Sequence, residues 1–180
     1  MVALSGAGLL LGQIPGTMQA HTEGSMRLYL PPLAMRLVGR PIKPDLTGNY
    51  ARLCLPYVVA RTLLSGSVGL GDFSDALLRD GPTHALAARV ALLNDCNTDE
   101  NAVVPQRVEI ALRDGRTLDQ RVEAALGNPE NPLPCAAQIA KVEACFAGIL
   151  PEDRADSLIR AIEALHAAPD AVALGALLCA

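Results

Sequence analysis

Residues 106–123, QRVEIALRDGRTLDQRVE, constrain this chain most. Val108, Ile110 and Leu112 alternate with Arg107, Glu109 and Arg113, and a period of two puts the two sets on opposite faces of a strand. Asp114-Gly115 then offers a two-residue turn, and Thr117 to Glu123 returns as the second strand. A hairpin with one apolar and one charged face needs cover on the apolar face alone. Two further stretches read as strands. MRLYL (Met26 to Leu30) alternates before Pro31 and Pro32 stop it, and ARVALLND (Ala88 to Asp95) is an apolar run after a helical piece. The expectation is an α+β fold: a mostly antiparallel sheet of about four strands with helices packed on one side.

Proline and glycine place the helices. A proline inside a helix costs about 3 kcal/mol but is tolerated in the first turn, so Pro56 starts a helix that ends near Leu64, with Gly66 as its stop. DFSDALLRD and PTHALAARV are short helical pieces, Arg40 to Thr47 reads as loop, and Gly127 to Pro134 is a breaker-rich loop with only helix after it. Pro151 suits a first helical position, Glu152 and Asp153 suit the positive end of the helix dipole, and Ala155, Leu158, Ile159, Ile162 and Leu165 form one apolar stripe. A last helix covers Asp170 to Leu178. The domain is expected over 26–180, after an irregular segment at 1–25.

Composition narrows the class of function. With 180 residues, 51% hydrophobic and 19% charged, one ordered domain is expected, with more apolar surface than a small monomer needs and therefore a partner surface. The net charge of -4 comes without a block of either sign, and three Tyr, two Phe and no Trp offer few stacking platforms, so no nucleic acid partner is expected. Five cysteines without a CxxC pair indicate neither a disulfide framework nor a zinc or iron–sulfur site, and read as reduced, mostly structural thiols in a cytoplasmic protein. The apolar start has no basic residue before Arg27 and is well short of the ~20 apolar residues of a membrane span, so neither export nor a membrane is expected.

No single motif carries a reaction. The segment GSVGLGD (Gly66 to Asp72) follows a helix instead of a strand and lacks the Lys-Ser/Thr ending of a phosphate loop, so it reads as a turn. His166, in the last turn of its helix, suits the dipole there; His84 reads as exposed; His21 lies in the irregular stretch IPGTMQAH, the kind of segment that often carries function. Tyr57 and Arg61 are the remaining pair. They lie one turn apart at the start of the Pro56 helix, where a phenol and a guanidinium suit a carboxylate substrate and a phenol of tuned acidity can pass a proton. The competing reading makes Tyr57 a half-buried core residue bonded to backbone and Arg61 a surface charge.

The segments LPPLAMRLVGRP (Leu30 to Pro41), LCLPYVVARTLLSGSVGLGDFSDALLRD (Leu53 to Asp80), ARVALLND, QRVEIALRDGRTLD and GNPENPL, in this order and spacing, resemble the C-terminal portion of the MmgE/PrpD family over most of 26–178. That family includes 2-methylcitrate dehydratase, cis-aconitate decarboxylase and iminodisuccinate epimerase. The resemblance implies a small α+β lid that closes on a large helical domain, with no metal or organic cofactor. It also implies chemistry on small di- or tricarboxylates, begun by removing a proton next to a carboxylate. It places Tyr57 at the catalytic tyrosine of the PYxVA-like helix and, through the spacing from Pro15, His21 at a catalytic histidine; Arg61 is a substrate-binding candidate. Gly12 stands where the family has a lysine, and only five residues separate His21 from Arg27, where the family has a helix. The chain then corresponds to the lid alone. As such it is expected to self-associate or to meet a separate helical-domain chain, and to show little or no lyase activity alone, because the chemistry needs a base, an acid and cationic clamps in one dry pocket. The alternative is a non-catalytic interaction or carboxylate-binding module of the same ancestry.

Overall fold

β1 (Met26–Leu30) is an inner strand of a four-stranded sheet in the order β2-β1-β3-β4. It pairs in parallel with β2 (Val90–Asn94) and antiparallel with β3 (Gln106–Ala111), which pairs antiparallel with β4 (Thr117–Val122). The α+β expectation, a mostly antiparallel sheet with helices on one side, is what the chain adopts. These relations come from a computed structural model that describes residues 25–112 and 114–179. All of the irregular 1–25 segment except Ser25 lies outside the described residues, His21 included. The described chain groups into two compact units, one running to Pro132 and the other starting at Leu133.

Alternation along the strands decides what the first unit buries. Met26, Leu28 and Leu30 of β1 and Val108 and Ile110 of β3 face one way and are buried, with Met26 opposite Ile110 and Leu28 opposite Val108. The other face is charged: Arg107 binds Asp119 and, at 2.7 Å, Glu109, while the Tyr29 hydroxyl donates to Glu109 at 3.0 Å. Because β1 and β2 run parallel, no tight turn can join them, and the chain between them forms a helical crossover that covers the apolar face. It consists of α1 (Pro32–Val38), α2 (Gly48–Ala51), α3 (Leu55–Ser65), a 3-10 turn (Leu70–Phe73), α4 (Asp75–Leu78) and α5 (Gly81–Ala87). Ala34 and Val38 of α1, Leu55, Val59 and Leu63 of α3 and Leu86 of α5 join the strand residues in one core.

Several local expectations are corrected. Pro31 and Pro32 do stop β1, but they also start α1, with Pro31 as N-cap and Pro32 in the first turn. The β3–β4 hairpin is closed by the Leu112 N–H, which donates to the Arg116 carbonyl, with Gly115 at φ 85° in the turn. A left-handed glycine at the turn lets the loop match the strand twist. Pro151 is the N-cap of its helix, which spans Glu152–Glu163, and is not its first residue.

In the second unit α6 (Cys135–Phe146), α7 (Glu152–Glu163) and α8 (Val172–Cys179) follow one another. Arg154 of α7 donates through Nε and Nη2 to the Leu177 carbonyl at 3.2 and 2.7 Å, satisfying an acceptor at the end of α8. Only the first half of the expected apolar stripe is buried, at Ala155 and Leu158, whereas Ile162 and Leu165 are exposed. The thiols also differ from expectation: Cys54 is buried, but Cys96, Cys135 and Cys145 are exposed, and none of the four is in a disulfide. Among the described residues no helix is long and apolar enough to cross a membrane.

Candidate functional site

α3 starts where the sequence places it because Pro56 sits in the first turn, where its missing N–H removes no helical bond. It ends because Gly66 adopts φ 82°, with its N–H bonded to the Thr62 carbonyl at 2.8 Å. Between those ends Tyr57 and Arg61 lie on one face, one turn apart. Tyr57 is not half-buried but fully buried, in a small apolar cluster with Leu46, Ala51, Cys54 and Leu78, and its ring centroid is 6.0 Å from that of Phe73.

The two side chains meet around Asp72. The Tyr57 hydroxyl donates to the Asp72 backbone carbonyl at 2.5 Å. Arg61 sends Nε at 2.9 Å and Nη2 at 2.7 Å to Asp72 Oδ1, while the Gly69 N–H takes Oδ2 at 2.7 Å. The third arm, Arg61 Nη1, reaches Thr83 Oγ1 at 3.3 Å; that buried hydroxyl donates to Asp80 Oδ2 at 2.6 Å, and the Thr83 N–H donates to the same oxygen at 3.0 Å, which caps α5. Gly66, left-handed at the end of α3, lets the chain turn away from the helix, and the 3-10 turn that follows brings Asp72 back against it. Arg61 is a largely buried strut in this arrangement, not a surface charge.

Burial pushes the Tyr57 phenol above its ordinary range; Arg61 opposes this, and the charges of Asp72 and Asp80 add to it. An ordinary phenol, at about 10, already holds its proton at neutral pH, and the shift moves it further from ionising, so the hydroxyl acts as a donor. The Cys54 thiol is also pushed up by burial, against hydrogen bonding to the Tyr57 backbone and the field of Arg40. Asp80 moves the other way, held below the usual carboxylate range first by the Thr83 hydroxyl, then by the Thr83 N–H, Arg61 and His84. Its folded value lies below its unfolded one of about 3.9, so its contribution to stability is present above that pH and is lost as pH falls through the folded value. In urea titrations from pH 6 to pH 3, the unfolding free energy of the natural chain is expected to fall more steeply below about pH 4 than that of Asp80→Asn. Parallel slopes would show that Asp80 gains nothing from its partners.

Asp72, Asp80 and Thr83 were not singled out from sequence. Asp80 before Gly81-Pro82-Thr83 carries a legible N-cap pattern, but nothing local marks the pairing of Arg61 with Asp72 eleven positions on. The other histidines stay apart from this network's hydrogen bonds: half-buried His84, not exposed as expected, donates from Nε2 to the Leu78 carbonyl at 2.7 Å, and exposed His166 bonds the Glu163 carbonyl through Nδ1 at 3.0 Å. Among the described residues no group of three or more His, Cys, Asp or Glu is placed to hold a metal ion.

No curated protein matches the chain. Residues 23–167, most of its length, match the family described as MmgE/PrpD C-terminal domain. The match takes in the whole sheet, α3 with Tyr57 and Arg61, the Asp72 turn and all of α7. The chain therefore belongs to the MmgE/PrpD family, whose C-terminal domain it carries.

Proposed function

We propose that the chain serves as the lid of a cofactor-free lyase acting on small di- or tricarboxylates such as 2-methylcitrate, working with a helical domain that supplies the remaining acid–base groups. The observation that carries this reading is the family match over 23–167, which includes the α3 segment bearing Tyr57. Tyr57 is the proton donor: its hydroxyl already donates to the Asp72 carbonyl, and a substrate oxygen replaces that carbonyl as acceptor. Arg61 takes a substrate carboxylate in exchange for Asp72. His21 is the proposed second catalytic group, by its spacing from Pro15. The compartment is the reducing cytoplasm, supported by four described cysteines that form no disulfide. Exposed apolar side chains such as Leu70 and Ile149 support assembly with a second copy or with a helical-domain chain.

One observation favours a second reading, a non-catalytic module of the same ancestry. Tyr57 is fully buried, and both it and Arg61 already have internal partners. The test is a dehydratase and decarboxylase assay on 2-methylcitrate, citrate and cis-aconitate, with the pure chain and with a helical domain of the family added. The lyase reading expects no turnover alone, turnover with the helical domain, and at least a hundredfold loss with Tyr57→Phe, in line with the 10²–10⁴ range for a lost acid–base group. Inactivity under both conditions supports the module.

A further inference from the structure

The loop 40–53 is a closed structure. Gly39 pairs with Cys54 across its base, immediately before α3, and the Tyr50 hydroxyl donates to the Pro41 carbonyl at 2.9 Å. Thr47 caps α2, accepting the Tyr50 N–H at 3.4 Å. These bonds hold the Tyr50 ring against the cluster that contains Tyr57. The loop also carries three exposed cations placed over aromatic rings: Lys43 Nζ lies 4.2 Å and Arg40 Cζ 5.3 Å from the Tyr50 centroid, and Arg52 Cζ lies 5.4 Å from that of Phe73, the ring beside Tyr57.

None of the three has a carboxylate within ion-pair distance among the described residues, whereas Arg61, Arg107, Arg116 and Arg121 all do. Among the described residues the Arg52 guanidinium donates to the Asn49 side-chain oxygen, at 3.3 Å. Arg40 and Lys43 share one ring and so stand within about 10 Å of each other, inside the screening length at 0.1 M salt. Cation–π attraction of about 0.5–1 kcal/mol at an exposed site orients each charge but leaves its positive field in place. A loop that is closed in advance and holds like charges together loses little freedom when an anion arrives.

We infer that loop 40–53 is a binding site for a small polycarboxylate, in which Arg40 and Lys43 take one carboxylate over the Tyr50 ring and Arg52 takes a second beside Phe73. The inference rests on the lyase reading for its ligand class and deepens it: these cations hold the carboxylates that do not react, next to the Tyr57 cluster.

The test is a titration of the ¹⁵N-labelled chain with citrate at constant ionic strength, with acetate and sulfate as controls. Citrate is expected to saturate with shifts concentrated in 40–53, to bind at least tenfold more tightly than acetate or sulfate, and to weaken at least tenfold in the Arg40→Gln, Lys43→Gln double variant. Lys43→Arg is expected to retain binding. Absence of saturation, equal affinity for sulfate, equal affinity in the double variant, or preference for a Glu-rich peptide over citrate would each overturn the site. Binding needs no turnover, so the two readings fail separately. Citrate bound at the loop with no activity after adding the helical domain sinks only the lyase reading; activity with an unchanged KM in the double variant sinks only the site.

Discussion

Replacing Arg61 with methionine is expected to lower the unfolding free energy by about 3–5 kcal/mol, the cost of stranding one partner of a largely buried ion pair. The two side chains are only 11% and 14% exposed, so water replaces little of what Asp72 Oδ1 loses when both guanidinium bonds go. The same change deprives Thr83 Oγ1 of its donor. Combining Arg61→Met with Asp72→Asn removes the stranded charge while leaving an oxygen able to accept from the Gly69 N–H, so the double variant is expected to recover part of the loss. Urea unfolding of the four proteins measures this as a coupling energy. Effects that simply add to within about 0.5 kcal/mol would mean that the pair is a bystander.

Tyr57→Ala is expected to cost a similar ~3–5 kcal/mol, since Tyr57 heads the fully buried side chains by volume and its loss leaves a cavity in its cluster. Tyr57→Phe keeps the ring against Phe73 and removes only the hydroxyl that the Asp72 carbonyl accepts from, so it is expected to cost about 1–3 kcal/mol. The difference between the two variants separates packing from hydrogen bonding. It also protects the functional test, because Tyr57→Phe remains folded when its turnover is measured. A Phe variant as unstable as the Ala variant would place the phenol's importance in structure alone.

The strands were legible because their information is local. Met26 to Leu30 alternates and is bounded by prolines, and β1 occupies those residues. The β3–β4 ladder follows the Val108/Ile110 alternation, and a left-handed Gly115 stands in the turn between the strands. α3 was legible from Pro56 and Gly66. The apolar stripe of α7 was legible as a pattern, but its burial at Ala155 and Leu158 and exposure at Ile162 depend on which neighbours arrive, and periodicity does not encode that.

The candidate site divides along the same line. Sequence alone determined that Tyr57 and Arg61 share a helix face, since 3.6 residues per turn leave no other result, and its ordered segments carried the family resemblance. It could not determine what the two side chains touch. Asp72, eleven positions on, reaches Arg61 by a fold-back through a glycine-rich turn, and Thr83, twenty-two positions on, arrives in the first turn of α5 with Asp80 as that helix's N-cap. Charge and hydrogen-bond partners at such separations are chosen by chain packing, which no local pattern specifies. The tertiary structure alone decided that the phenol is pushed above its ordinary range and that the guanidinium is already paired, because both outcomes depend on burial and on carboxylates brought in from elsewhere in the chain.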